Sequence, residues 1–369
     1  MFKDFSNAAM AHVSGTPQNG DAFERVISRG DFAAAYQEIS GWQDYAPTPL
    51  HHLRALAEAL GLGDILYKDE GPRFGLGSFK ALGGAYAAVR LVARQDAGIT
   101  LATATDGNHG RSLAWGAKRL GCPCQIYIHR DVSEGRAAAM RDLGAAVTRI
   151  DGDYDASVAA VRRDAKAQGW YVVSDTSWPG YSQPPTDVMA GYGVMVREIV
   201  DALDVPPTHV FLQAGVGGLA AAIAAGFRQH WGADAPRVVV VEPDLAPCLF
   251  ASAQAGALTN VTLTDETLMA GLSCGEPSPL AWEVLREQAS DFVTIPEAMF
   301  APAMRLAARP MGDDPALQAG ESAVAGFAAM IAAAQGDLRT TLGLTDASRV
   351  LIIGSEGITD PHIYAGLVG

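Results

Sequence analysis

The sequence predicts an α/β protein built from two parallel-sheet αβα units, and three observations predict it. Short runs rich in Val, Ile and Leu alternate with helical stretches, and the short connections between them imply parallel strands joined by crossover helices. The alternation falls into two blocks, one over 84–190 and one from 192 onward, parted by 178–185, which holds three prolines and two aromatics. At 369 residues the chain is long enough for about two domains, and its 40 glycines suit many tight strand-to-helix turns.

Taken in order, residues 1–41 are polar and mixed, which predicts an extended arm and then a helix near 30–39. Tyr45-Ala46-Pro47-Thr48-Pro49-Leu50 is stiff and extended, because each proline fixes its own φ and restricts the residue before it. A helix is expected over 51–60, a strand at 65–68 and a loop over 69–77. Next come a helix behind Ser78, a strand at 101–103, a turn at 106–110 and a helix over 111–120. The block continues with a strand at 124–129, a helix over 134–143, a strand at 146–150, a helix over 154–168 and a strand at 171–173. The proline-rich 178–185 reads as a crossing loop. The second block has strands at 208–213, 238–241 and 349–353, with a helix over 219–227. Neither a repeat of fixed period nor a low-complexity tract is visible.

Composition excludes several partners. A net charge of −14 argues against nucleic acid or an anionic membrane, although a local pocket can still be basic. Residues 1–18 lack the long apolar core of a signal peptide, and 214–227 is too short and too weakly apolar to cross a bilayer. A cytoplasmic protein is the expectation. Cys122, Cys124, Cys248 and Cys274 form no Cys-x-x-Cys pair, so reduced core thiols and no metal site are expected.

Four stretches carry chemistry. In Gly75-Leu76-Gly77-Ser78-Phe79-Lys80, Ser78 is a credible N-cap that places Lys80 in the first turn of a helix. The positive end of the helix dipole and burial beside Phe79 both disfavour the ammonium, and a partly neutral lysine is a nucleophile able to form a Schiff base. Gly215-Val216-Gly217-Gly218 follows a strand and opens a helix, where converging N–H groups bind a phosphate. Gly215-x-Gly217-x-x-Ala220 with Glu242 also satisfies a dinucleotide fingerprint, which would make the protein a nicotinamide-dependent oxidoreductase but leaves Lys80 unexplained. Thr105-Asp106-Gly107-Asn108-His109-Gly110 sits at the carboxyl edge of its sheet. It offers amide donors, an acid or base in Asp106, and a histidine that fixes the loop. Ser355, in Gly354-Ser355-Glu356-Gly357, brings a hydroxyl to a strand end.

A reactive lysine, a phosphate cradle, an asparagine and a serine match the handles of pyridoxal 5'-phosphate. The chain resembles the fold-type II pyridoxal-phosphate enzymes, the group of threonine dehydratase and the tryptophan synthase β subunit, and within them the diaminopropionate ammonia-lyases. The shared stretches include Arg73-Phe74-Gly75-Leu76, Phe79-Lys80-Ala81-Leu82-Gly83-Gly84, Thr103 to Arg111, Asp175-Thr176, Gln213 to Gly217, Val241-Glu242-Pro243, Cys274-Gly275-Glu276-Pro277, Gly320-Glu321-Ser322, and Glu356-Gly357 with Thr359-Asp360. The resemblance implies a large cofactor-binding domain of 1–83 and 191–369 and a smaller αβ domain of 84–190. It implies Lys80 as the Schiff-base lysine, Asn108 on the cofactor's O3′, and Gly215, Val216, Gly217 and Gly218 around the phosphate. Lys80, Asp106 and Asp175 would be catalytic, while Ser78, Thr105, Asp106, Gly107 and His109 would meet the substrate. Gly354 departs from the family pattern and leaves Ser355 or Thr359 for the ring nitrogen. Gly77-Ser78 also replaces the usual Asn-Ala. Glu276 and Glu321 are further carboxylates in the shared stretches.

The implied reaction is β-elimination from a small amino acid, 2,3-diaminopropionate first, with a β-hydroxy or other β-substituted amino acid as the alternative. Dehydratases of this fold carry a small neutral residue where Asp106 stands. A carboxylate there would attract a β-ammonium by a few kcal/mol at an effective dielectric of ~20. The resemblance also implies a homodimer.

Overall fold

The computed structural model describes the chain apart from Met1, Asn7, Asn19, Asp96, Ala97, Asp106 and Pro310, and only the backbone of Asp155. Among the described residues eleven strands form two sheets. They are β1 (His12–Ser14), β2 (Leu50–His52), β3 (Asp64–Asp69), β4 (Leu101–Ala104), β5 (Cys124–Ile128), β6 (Ala146–Arg149), β7 (Tyr171–Val172), β8 (His209–Gln213), β9 (Arg237–Pro243), β10 (Asp291–Ile295) and β11 (Arg349–Gly354). The larger sheet runs β1-β10-β9-β8-β11-β3-β2, with its five inner strands parallel and its two edge strands antiparallel. The smaller runs β6-β5-β4-β7 and is parallel throughout. This is the α/β class that the alternation predicts.

The inner strands read as unbroken apolar runs because helices cover both faces. All five residues of β8, and all five of β10, are buried. One face packs against the helices Lys80–Val92, Gln183–Ala202 and Gly218–Trp231. The other packs against Ala325–Gln335, whose alanines let it lie close to the sheet.

Several local expectations change. The helix expected over 51–60 begins only at Arg54, because residues 50–52 pair antiparallel with β3, His51 opposite Tyr67. The backbone groups on the outer side of β3 need partners, and the preceding prolines hold the chain extended enough to supply them. The helix behind β4 starts at Asn108 rather than after a longer turn. The crossing stretch 178–185 is partly helical: Pro184 and Pro185 lie in the first turn of Gln183–Ala202, where a missing N–H costs nothing. Before it, Trp178 and Tyr181 pair and stack at 3.8 Å. Strands β1 and β10 have no counterpart in the sequence reading.

Each sheet has a point where successive connections leave in opposite directions, the usual place for an α/β ligand site. In the larger sheet it lies between β8 and β11, and in the smaller between β4 and β7. The two points face one cavity.

Candidate active site

The lysine arrives on a strained and heavily anchored loop. Phe74, Gly75 and Gly77 all have positive φ (51°, 68° and 79°), which costs little at the glycines and more at Phe74. A buried, charge-balanced network holds the loop. The Arg73 guanidinium donates to Glu70 at 2.7 and 2.8 Å and to Glu198 at 2.8 Å twice. Lys68 Nζ reaches Glu198 at 2.5 Å and the Thr48 carbonyl at 2.7 Å. All four charged side chains are at most 2 % exposed.

Lys80 is the first residue of its helix, and the residue in the cap position is Phe79, without a side-chain cap. The expected Ser78 N-cap is therefore not made. Ser78 instead pairs by its backbone with Glu356, while Phe79 N–H donates to the Ser355 carbonyl and Gly357 N–H to that of Gly77. This ties the lysine helix to the end of β11. The expectation of a partly neutral lysine is also corrected. Lys80 Nζ lies 2.6 Å from Asp175 Oδ2, with both side chains about one-fifth exposed. Burial, the largest single effect, works against the ammonium, but the Asp175 charge, its hydrogen bond and the neighbouring Tyr192 together outweigh it and hold Lys80 above its ordinary value. Burial likewise opposes the Asp175 carboxylate, yet Lys80 and then His109 keep it well below the usual range.

On the smaller sheet, Thr105 Oγ1 accepts from the amides of Gly107 and Gly110, which shapes the turn after β4. Asp106 lies outside the described residues. Asn108 Nδ2 donates to Glu356, whose other oxygen accepts from Ser322 N–H at 2.9 Å. His109 Nε2 lies 2.9 Å from the Val173 carbonyl.

The glycine turn caps the helix Gly218–Trp231, with Gly217 at φ 97°. It is packed too closely for side chains. A Cβ at Gly215 would lie 2.9 Å from the Gly271 carbonyl oxygen, and one at Gly217 would lie 3.1 Å from both Ala281 and Leu249. The helix start then presents N–H groups without intrahelical partners to an anion. Glu242 does not serve a ribose. It is fully buried, accepts from the amides of Leu249 and Phe250 at 2.8 and 2.6 Å, and is raised by burial to about 8. The dinucleotide reading fails there.

At the end of β11, Ser355 Oγ accepts from Gln213 Nε2 at 2.8 Å. Its own proton has no acceptor among the described residues, so it suits a pyridine nitrogen. Thr359 Oγ1 is buried without a partner among the described residues and does not line the cavity.

The cavity thus gathers Lys80, Thr105, Gly107, Asn108, His109, Asp175, Gly215, Val216, Gly217, Gly218 and Ser355. Ser78 is buried outside it, and Glu321 does not line it. Glu276 is exposed and holds Asn260. Sequence reasoning missed Tyr192 and Glu356, which both line it. Tyr192 is the lone phenol in an otherwise apolar stretch of a buried helix, which was a legible signal. Glu356 had none beyond its place in a shared motif. The residues present fit pyridoxal phosphate on two observations: a glycine cradle that a Cβ would jam, and a hydroxyl with an uncommitted proton.

The comparisons agree. A model of the pyridoxal-phosphate dependent enzyme family matches residues 42–355. The diaminopropionate ammonia-lyase of Escherichia coli strain K12 is 38% identical, covering 90% of this chain and 89% of that protein. That of Salmonella typhimurium strain LT2 is 37% identical, covering 88% of each. The crystal structure of the Escherichia coli enzyme with an aminoacrylate-PLP azomethine reaction intermediate superposes with a TM-score of 0.92 at 36% identity, covering 99% of this chain and 98% of that one.

Proposed function

Because the chain belongs to the pyridoxal-phosphate dependent enzymes, we propose that it is an ammonia-lyase converting 2,3-diaminopropionate and water to pyruvate and two molecules of ammonia. The observation that carries this is the cavity itself, where Lys80 and Asp175 face a glycine turn at a helix N-terminus. Pyridoxal phosphate supplies the electron sink for the charge left at the substrate Cα.

The chain's own groups do the rest. The amides of 215–218 hold the phosphate, Ser355 donates to the ring nitrogen, and Asn108, steadied by Glu356, meets O3′. Lys80 Nζ holds the cofactor aldehyde and, once displaced, takes the Cα proton from its side. Asp175 orients Lys80 and, as a carboxylate, pairs with the ammonium that forms when Lys80 takes the proton. Asp106, which lies outside the described residues, is our first candidate for the second base and for the group that attracts the β-ammonium; Asp175 is the next. We assign the larger sheet to a large domain of 1–83 and 191–369 and the smaller sheet to a small one of 84–190. Among the described residues no helix is long and apolar enough to cross a membrane. We place the enzyme in the cytoplasm as a homodimer, which its mass in solution would check.

The test is pyruvate release from D- and L-diaminopropionate and from β-hydroxy amino acids. Activity confined to the latter would replace the substrate and keep the elimination. Asp106→Asn should reduce turnover of the D-isomer by ~10²-fold or more, the scale of a lost general base, and that of the L-isomer less. Equal losses would reduce Asp106 to substrate binding.

Gly217→Leu should weaken cofactor binding. A side chain at φ 97° that meets Ala281 and Leu249 must displace the turn, and strain of about 1–3 kcal/mol corresponds to roughly 5- to 150-fold in affinity. Titration of the cofactor-free variant with pyridoxal phosphate reads it, and an unchanged affinity would place the cradle elsewhere.

A further inference from the structure

Among the described residues, two buried polar atoms beside the Lys80–Asp175 pair make no regular hydrogen bond: His109 Nδ1 and the Tyr192 hydroxyl. The state of the first follows from the other ring nitrogen. His109 Nε2 lies 2.9 Å from the Val173 carbonyl oxygen. A carbonyl only accepts, so Nε2 carries the hydrogen and, in the neutral ring, Nδ1 is a bare lone pair. That lone pair stands 3.9 Å from Asp175 Oδ2, with the imidazole 7% exposed. A lone pair facing a carboxylate is unfavourable, and a single proton would turn it into an ion pair. The same Oδ2 lies 2.6 Å from Lys80 Nζ, which has a proton to give.

We propose that His109 is the proton acceptor for Lys80, receiving the ammonium proton at Nδ1 by way of Asp175 Oδ2 and leaving Lys80 as the neutral amine that must attack the cofactor aldehyde. The inference rests on the pyridoxal-phosphate reading. One Nζ–H bond breaks and one Nδ1–H bond forms. The positive charge moves from the ammonium to the imidazolium, and Asp175 is a carboxylate before and after. No other reactant is needed.

Among the described residues the charged groups that shift His109 are Asp175, after β7, and Lys80, on the neighbouring helix, while Arg136 of the helix Glu134–Asp142 lines the same cavity. Burial lowers His109, Asp175 raises it and the Lys80 charge lowers it. The net effect holds His109 below its ordinary value while Lys80 is charged; once the proton has left Lys80 that opposing charge is gone, and burial alone then works against the imidazolium. Asp175 alone is a poor acceptor because it is held so acidic. Tyr192 neighbours Lys80 and is pushed up to about 12, first by burial, so it stays a neutral phenol.

The experiment mixes cofactor-free protein with pyridoxal phosphate and follows covalent capture by Lys80, through absorbance and borohydride fixation, from about pH 6 to 9. The variant is His109→Gln, whose amide can still donate to Val173 but cannot take a proton. Its capture rate should fall by ~10- to 100-fold at neutral pH, with the pH profile displaced upward. Its affinity for pyridoxamine phosphate, which has no aldehyde, should be unchanged. Wild-type rate and profile in the variant would overturn the proposal. A parallel loss of pyridoxamine phosphate binding would also overturn it, since that marks a scaffold role. No capture by the wild type would instead sink the cofactor reading on which it rests. A second readout is ¹⁵N NMR of histidine-labelled cofactor-free protein, with the His109 signals assigned by their loss in the variant. Protonation at Nε2 alone is expected, and an Nδ1–H tautomer would refute the transfer.

Discussion

Lys80→Ala should abolish covalent retention of pyridoxal phosphate and lower turnover by at least ~10⁴-fold, the upper end of what a positioned proton-transfer group contributes. No other residue can take its place. Lys80 is the lysine that lines the cavity, and it enters at the first residue of a helix whose start is tied by backbone hydrogen bonds to the end of β11. Among the described residues the other cationic side chain lining the cavity is Arg136, which cannot lose its proton to become a nucleophile, and the His109 ring is tied to the Val173 carbonyl. Borohydride reduction followed by peptide mapping should place the label on Lys80 in the wild type and nowhere in the variant. A yellow, active Lys80→Ala protein would end the assignment. Circular dichroism would verify that the variant is folded, since it leaves Asp175 without its ion-pair partner.

The second large effect is on stability. Glu198→Ala removes one of two carboxylates that balance Lys68 and Arg73 in a site from which water is excluded. Replacing a buried ion pair whole can be neutral, but removing one member strands charge, at a cost of about 3–5 kcal/mol. The readout is the denaturant midpoint of the cofactor-free protein. A loss below about 0.5 kcal/mol would show that the network is energetically idle. The pH dependence has a definite sign. Burial alone would raise Glu198, but Arg73 and Lys68 outweigh it and hold the carboxyl below its ordinary value. Its contribution is complete above the unfolded value of about 4 and is lost as pH falls through the lower folded one. The variant should therefore lose the corresponding step of acid unfolding. It should also bind cofactor less well, because Arg73 holds the loop that delivers Lys80.

What was legible in the sequence follows from what each signal depends on. The inner strands and the glycine turn were plain because they are local: a buried parallel strand is one apolar run, and Gly215 to Gly218 form their cradle within four residues. The edge strands were not, because residues 12–14 and 50–52 are too short to show alternation and become strands only through β10 and β3. The lysine's position was readable, but its charge was not. The local cues, a helix start and an aromatic neighbour, pointed to a neutral amine. The deciding group, Asp175, lies 95 residues away. Ser78 failed as a cap for the same reason, its backbone being claimed by Glu356 from the far end of the chain.

The antiparallel pairing of β1 with β10 has a consequence for handling the protein. Residues 12–14 take no part in the cavity, yet they cover the outer edge of a strand in which Phe292, Val293 and Ile295 are at most 1 % exposed. Stripped of that cover, β10 would present a row of open backbone donors and acceptors flanked by apolar side chains, the template on which chains add to one another. The N-terminal arm is thus a guard against aggregation. A bulky fusion placed before it, or a protease that nicks between it and the helix Ala22–Val26, would leave the catalytic groups in place and yield a protein that precipitates.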